Sequence, residues 1–142
     1  MIDTPELSSQ DAAIGLSTHG SKALPFIVPA EFTHVLVKRS GSGSSGLARW
    51  YLDTLPQDRI GTLASTGESR GTGPALLRWE GPRRAFAFTL NGPENWSWIH
   101  VTDRRGRPVT AEREGDLRGR ITLSAPGHVM VRSDGPWSLR SL

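Results

Sequence analysis

The side chains able to take part in chemistry are few and poorly grouped: four histidines, fourteen carboxylates and no cysteine in 142 residues. None of His19, His34, His100 and His128 has a second histidine or a carboxylate two or four residues away. That spacing is what sets two metal ligands on one face of a strand or helix, so no metal site is expected. Without cysteine there is no thiolate nucleophile, and redox compartment is left undetermined. No Asp-x-Asp calcium loop occurs, and the closely spaced carboxylates Glu112 and Glu114 have no second group to face them across a cleft as glycoside hydrolysis requires.

Gly41-Ser-Gly-Ser-Ser-Gly46 has the spacing of a dinucleotide-binding loop and follows an expected strand. Pyrophosphate binding needs a helix to open at the last glycine, and Leu47-Ala-Arg-Trp-Tyr-Leu52 reads as a strand instead, so the segment is expected to be a hairpin loop. Neither a nucleophile elbow nor a P-loop lysine is expected. A Ser-His-Asp set can be drawn from almost any chain of this size and carries no assignment. The reading is therefore non-catalytic, with no catalytic, cofactor-binding or metal-ligating residue and no cofactor.

Aromatic residues carry more information. There are five tryptophans against four phenylalanines and one tyrosine. Trp50, Trp79 and Trp137 fall on otherwise apolar strand faces and are expected in the core. Trp96 and Trp98 alternate onto the same face as His100, which makes these three the candidate binding surface, suited either to stacking on a sugar or to burial against a protein partner. A second apolar set, Phe26, Ile27 and Val28, is bracketed by Pro25 and Pro29 and has to lie on something, either its own domain or a neighbouring subunit.

Charge adds little about partners. Residues 1–32 hold four acidic groups against one lysine, while residues 33–142 carry a net charge of +6. Fifteen of the 17 basic residues are arginine, but they are scattered and their clusters at 83–84 and 104–107 sit beside turn residues, so nucleic acid is not expected as a partner. No run approaches the ~20 apolar residues of a membrane helix. The N-terminus has neither the basic nor the apolar region of a secretory signal, which points to the cytoplasm or to an assembled particle.

The elements that would position these groups are short. Sixteen glycines and ten prolines punctuate the chain, and from Thr33 onward β-branched and aromatic runs recur about every 8 to 12 residues. Residues 1–31 lack sustained periodicity beyond a short possible helix at 8–16, and read as an extended arm. Strands are expected at 34–39, 47–53, 59–64, 74–80, 84–90, 96–102, 107–110, 118–124, 128–133 and 136–141, the third and seventh being short, giving about eight well-formed ones. Residues 74–80 and 84–90 read as a hairpin about Gly81-Pro82. The last three runs read as a meander with Asp134-Gly135 as the central pair of a type I′ turn. The strings His34-Val-Leu-Val-Lys-Arg-Ser-Gly41 and His128-Val-Met-Val-Arg-Ser-Asp-Gly135 align nearly residue for residue, as matched strands of a pseudo-symmetric sandwich would.

The series Leu77-Arg-Trp79-Glu-Gly81, Phe86 and Phe88, Trp98 to Asp103 with Gly106, Gly119, and Ala125-Pro-Gly-His-Val-Met-Val-Arg-Ser-Asp-Gly-Pro-Trp137 resembles a small bacterial β-sandwich module. Such modules occur alone or on lipoproteins and other surface proteins without a settled activity. The resemblance spans roughly residues 33–142, and the chain departs from it in lacking a lipoprotein cysteine and in carrying the arm. The expectation is one all-β domain at 32–142, an antiparallel sandwich of jelly-roll or immunoglobulin-like type with about eight strands, preceded by the arm at 1–31. Its expected role is structural or protein-binding, docking on another subunit in a homo-oligomer or in a phage or cell-surface particle. The alternative is a carbohydrate-binding module whose exposed tryptophans stack on a glycan.

Overall fold

A computed structural model describes residues 25–28, 30, 52–92, 97–109, 113–114, 117–124 and 126–142. Among them are a 3-10 turn at Gln57–Arg59 and nine strands: β1 (Gly61–Thr62), β2 (Glu68–Thr72), β3 (Ala75–Trp79), β4 (Arg84–Leu90), β5 (Trp98–Asp103), β6 (Arg113–Glu114), β7 (Arg118–Leu123), β8 (Gly127–Arg132) and β9 (Pro136–Ser141). They form two sheets, β1-β3-β8-β5-β6 and β2-β9-β4-β7, in the all-β sandwich arrangement that the composition implied. Pairing is antiparallel except between β1 and β3, which run parallel.

Alternation along the strands explains the core. Leu77, Trp79, Ile99, Val101, Val129 and Val131 turn inward from the five-stranded sheet and meet Phe86, Phe88, Leu90, Ile121, Leu123, Trp137 and Leu139 from the other. Each large side chain so buried contributes on the order of 1.5 to 3 kcal/mol of transfer free energy. Trp79 and Phe86 meet edge to face with ring centroids 5.2 Å apart, and so tie the two sheets together.

The strands at 75–79, 84–90, 98–103, 118–123, 127–132 and 136–141 fall where the alternation put them, but two pairings are corrected. β3 and β4 do not form a hairpin: β3 pairs with β1 and β8, and β4 pairs with β7 and β9 in the opposite sheet. Residues 80–83 carry the chain across the core around Trp79, whose indole Nε1 donates to the Pro82 carbonyl at 3.0 Å. The C-terminal meander is likewise absent. β7 and β9 lie in the four-stranded sheet with β4 between them, and β8 lies in the other sheet.

Asp134-Gly135 therefore does not make a type I′ turn. Among the described glycines, positive φ occurs at Gly67, Gly73 and Gly106 and not at Gly135. Gly135 is required for a different reason: a Cβ there would collide with the carbonyl of Asn91. The corner is held by Asn91 N donating to Pro136 O at 2.8 Å, Gly73 N donating to Gly135 O at 3.1 Å and Ser133 Oγ donating to Asn91 O at 3.3 Å. Three backbone segments thus converge at a point where a side chain has no room.

β2 was not anticipated, because Glu-Ser-Arg-Gly-Thr contains no apolar residue. The expected strand at 59–64 is reduced to Gly61–Thr62, and of that at 107–110 the described residues 107–109 keep a single bridge between Pro108 and Thr102. Leu52 and Asp53 are irregular rather than strand. The expected strand at 34–39, the body of that at 47–53, the 41–46 loop, the helix at 8–16, Trp50 and Trp96 lie outside the described residues, as does the first member of the aligned pair of strings.

Candidate functional site

Of the three residues assigned to a binding surface, Trp98 and His100 lie on β5, and Trp96 lies outside the described residues. Trp98, His100 and Thr102 point away from the core, opposite Arg132, Met130 and His128 of β8, and on the far side of β8 Leu76 and Arg78 of β3 complete the rows. The structure places Trp98 and His100 side by side, rings edge to face with centroids 6.0 Å apart. Trp98 is half-buried, and the guanidinium carbon of Arg132 lies 5.9 Å from its ring centroid, a cation–π distance.

His100 is buried, as are Leu76, Met130 and Thr102. The outer face of this sheet is therefore largely covered, and the strict exposed-against-buried alternation expected of a surface strand fails over β5. The next row, Arg78, His128 and Thr102, is polar. Arg78 Nε lies 3.0 Å from Glu80 Oε1, but in a geometry that makes an ion pair without a hydrogen bond; His128 Nδ1 and Thr102 Oγ1 are buried with no hydrogen-bond partner among the described residues. This polar row was not singled out from the sequence, since its members come from three strands whose register could not be read.

Phe26 and Ile27 are half-buried and Val28 is 40% exposed. The amide of Ala30 donates to the Arg105 carbonyl at 2.9 Å, so this segment is fastened to the turn that follows β5.

Gly67-Glu-Ser-Arg-Gly71 has the Gly-x-Ser-x-Gly spacing of a nucleophile elbow, contrary to the expectation that no such motif is present. Its setting is wrong for that chemistry. An elbow needs the serine on a sharp strand-to-helix turn, whereas Ser69 lies within β2 opposite Leu139, and its hydroxyl accepts the Ala64 amide at 3.0 Å. No group of three or more His, Cys, Asp or Glu that could hold a metal occurs among the described residues.

The outer face of the four-stranded sheet has a different character. Its middle carries the small residues Ala85, Ala87, Thr89 and Ser138 together with Arg140, and its edge strands carry Arg70, Arg118 and Arg120. The carboxylate on this face, Glu68, is held below the ordinary range chiefly by hydrogen bonds from Arg70 and Ser138, with the charges of Arg70 and Arg140 adding to the effect. Arg70 Nε donates to Glu68 Oε2 at 2.7 Å.

No family model and no curated protein matches the chain. Among solved structures, that of PliG from Aeromonas hydrophila, a periplasmic inhibitor of g-type lysozyme, is similar at 14% identity over 56% of this chain and 93% of its own, with a TM-score of 0.33. No helix among the described residues is long and apolar enough to cross a membrane.

Proposed function

We propose that the protein is a non-catalytic interaction module that associates with copies of itself through the chain N-terminal to β1. The observation that carries this reading is where exposed apolar side chains gather. Of the five exposed large apolar side chains among the described residues, Leu52, Leu55 and Val28 precede β1, with Phe26 and Ile27 beside Val28 only half-buried, while Val109 and Leu142 follow β5 and β9. Apolar side chains left in water ahead of β1 fit a chain that docks on a partner surface, whereas the described strands bury their large apolar residues. The glycan alternative draws less support, because a sugar stacking on Trp98 would have to displace the Arg132 guanidinium.

Light scattering coupled to size exclusion tests the reading. The full chain should show a multiple of the 15.5 kDa protomer mass, and a chain beginning at Glu31, or one carrying Leu52→Asp and Leu55→Asp, should fall toward the protomer while keeping its β-sheet circular dichroism. A full chain that stays at protomer mass at every concentration overturns self-association. A truncated chain that unfolds makes residues 1–30 part of the sandwich and removes the arm.

A further inference from the structure

β7 ends the four-stranded sheet, and among the described residues no strand pairs with its outer side. Such an edge presents a row of main-chain N–H and C=O groups to whatever chain can lie along it. Gly119, Ile121 and Leu123 of β7 share the inward register of Phe88, Phe86 and Arg84 on β4, which leaves Arg118, Arg120 and Thr122 on the outer face. Arg118 and Arg120 are exposed, and neither forms an ion pair with a described carboxylate.

The register also fixes what they look across. Arg120 stands opposite Ala87, which stands opposite Arg140, while Arg118 stands opposite Thr89 and then Ser138. Among the described residues, the arginines thus border small side chains, Ala87 and Thr89 on β4, with Ser138 and Arg140 beyond them on β9. The balancing carboxylate, Glu68, sits on β2 at the far rim and is already engaged by Arg70 and Ser138. Among the described residues, positive charge is left in surplus on the β7 side.

We propose that the β7 edge takes up an extended acidic polypeptide segment as an added antiparallel strand, with carboxylates at alternate residues facing Arg118 and Arg120. The spacing is matched by strand geometry itself: residues two apart on one strand face lie about 6.8 Å apart, on the arginine side and on the ligand side alike. Opposite charges directly across a strand pair stabilise it and like charges disfavour it. A second copy of β7 paired antiparallel would set arginine against arginine, so the same two residues that admit an acidic strand turn away the chain's own edge. The proposal rests on the reading of the protein as an interaction module, but not on self-association through the N-terminal segment.

The test is fluorescence anisotropy on the full chain with a labelled Thr-Glu-Val-Glu-Thr peptide. Three comparison probes are its lysine counterpart, a copy N-methylated at alternate amides, and an oligothymidylate. The glutamate peptide should bind saturably and more weakly as salt rises, with the lysine and N-methylated peptides binding far less. The double variant Arg118→Glu/Arg120→Glu should lose roughly tenfold for the glutamate peptide and gain for the lysine peptide. Because both positions are exposed, its thermal midpoint and its light-scattering mass should stay those of the wild type. No binding of the glutamate peptide to the wild type overturns the proposal. Equal binding of the N-methylated peptide or of oligothymidylate also overturns it, by making the face a general anion surface. If the peptide binds but the full chain has protomer mass, self-association fails and the β7 proposal stands.

Discussion

The indole N–H of Trp137 donates to the carbonyl of Gly73 at 2.9 Å, while Gly71, its register partner on β2, lies so close to the ring that a Cβ would penetrate it. Trp79 repeats the arrangement with Gly81 against its ring and Pro82 as acceptor. A buried tryptophan needs an acceptor for its one polar atom, and here each acceptor lies in the segment where the chain crosses between sheets.

Trp137→Ala should cost about 3 to 5 kcal/mol, since it removes a large transfer term and leaves a cavity. Trp137→Phe keeps most of the ring but loses the N–H, and should cost less, about 1 to 3 kcal/mol. Gly71→Ala should itself destabilise by about 1 to 3 kcal/mol, because the ring has to move. Denaturant melts of the three variants check the order; a wild-type midpoint for Gly71→Ala would mean the ring can shift freely.

Two glycine substitutions should separate crowding from backbone conformation. Gly67 has φ of 81° with open space around it, so Gly67→Ala meets only the left-handed penalty of about 1 to 2 kcal/mol. Gly135→Ala has no such penalty but drives a methyl into the Asn91 carbonyl, and should cost more. Thermal melts showing Gly67→Ala to be the more damaging of the two would contradict the packed corner at Asn91.

Acid should loosen β2 before the rest of the sandwich. The Glu68 carboxyl titrates below its ordinary value of 4.5 chiefly through the Arg70 and Ser138 hydrogen bonds. A folded value below the unfolded one means the group's stabilising contribution is complete above the unfolded value and disappears as pH falls through the folded one. Amide exchange across β2 and β9 should therefore quicken as pH drops below the usual carboxylate range, after correction for intrinsic rates. Glu68→Gln should remove that pH dependence; a variant that keeps it would place the cause elsewhere.

Inward and outward faces were legible in the sequence, while partners were not. Alternation at Phe86, Phe88 and Leu90, or at Val129 and Val131, states which side chains meet the core, and it reads the same whether the next strand pairs alongside or returns in the facing sheet. Gly81-Pro82 and Asp134-Gly135 mark a change of direction, which both kinds of connection require. β2 gave no apolar signal because its inward positions are Ser69 and Gly71, the latter kept small by Trp137. At the candidate site, Trp98 and His100 were rightly put on one face, but burial on both sides of β5 hid how little of that face is open. The β7 rim was invisible, since Arg118 and Arg120 meet Arg140 only through β4.

β9 lies inside its sheet, flanked by β2 and β4, although every other strand described precedes it in the chain. A ribosome releasing this polypeptide in order delivers β2 and β4 well before the strand that joins them, so throughout the synthesis of residues 91–135 their facing edges and the slot filled by Trp137 are open. Most pairings here join strands distant along the chain, which belongs to slow folding and to a long exposure of unpaired edges. A chain halted before Pro136 should therefore be protease-sensitive throughout rather than missing one strand, and pulse proteolysis of stalled nascent chains would show protection arriving in a single late step; stepwise protection would mean that the five-stranded sheet forms without its partner.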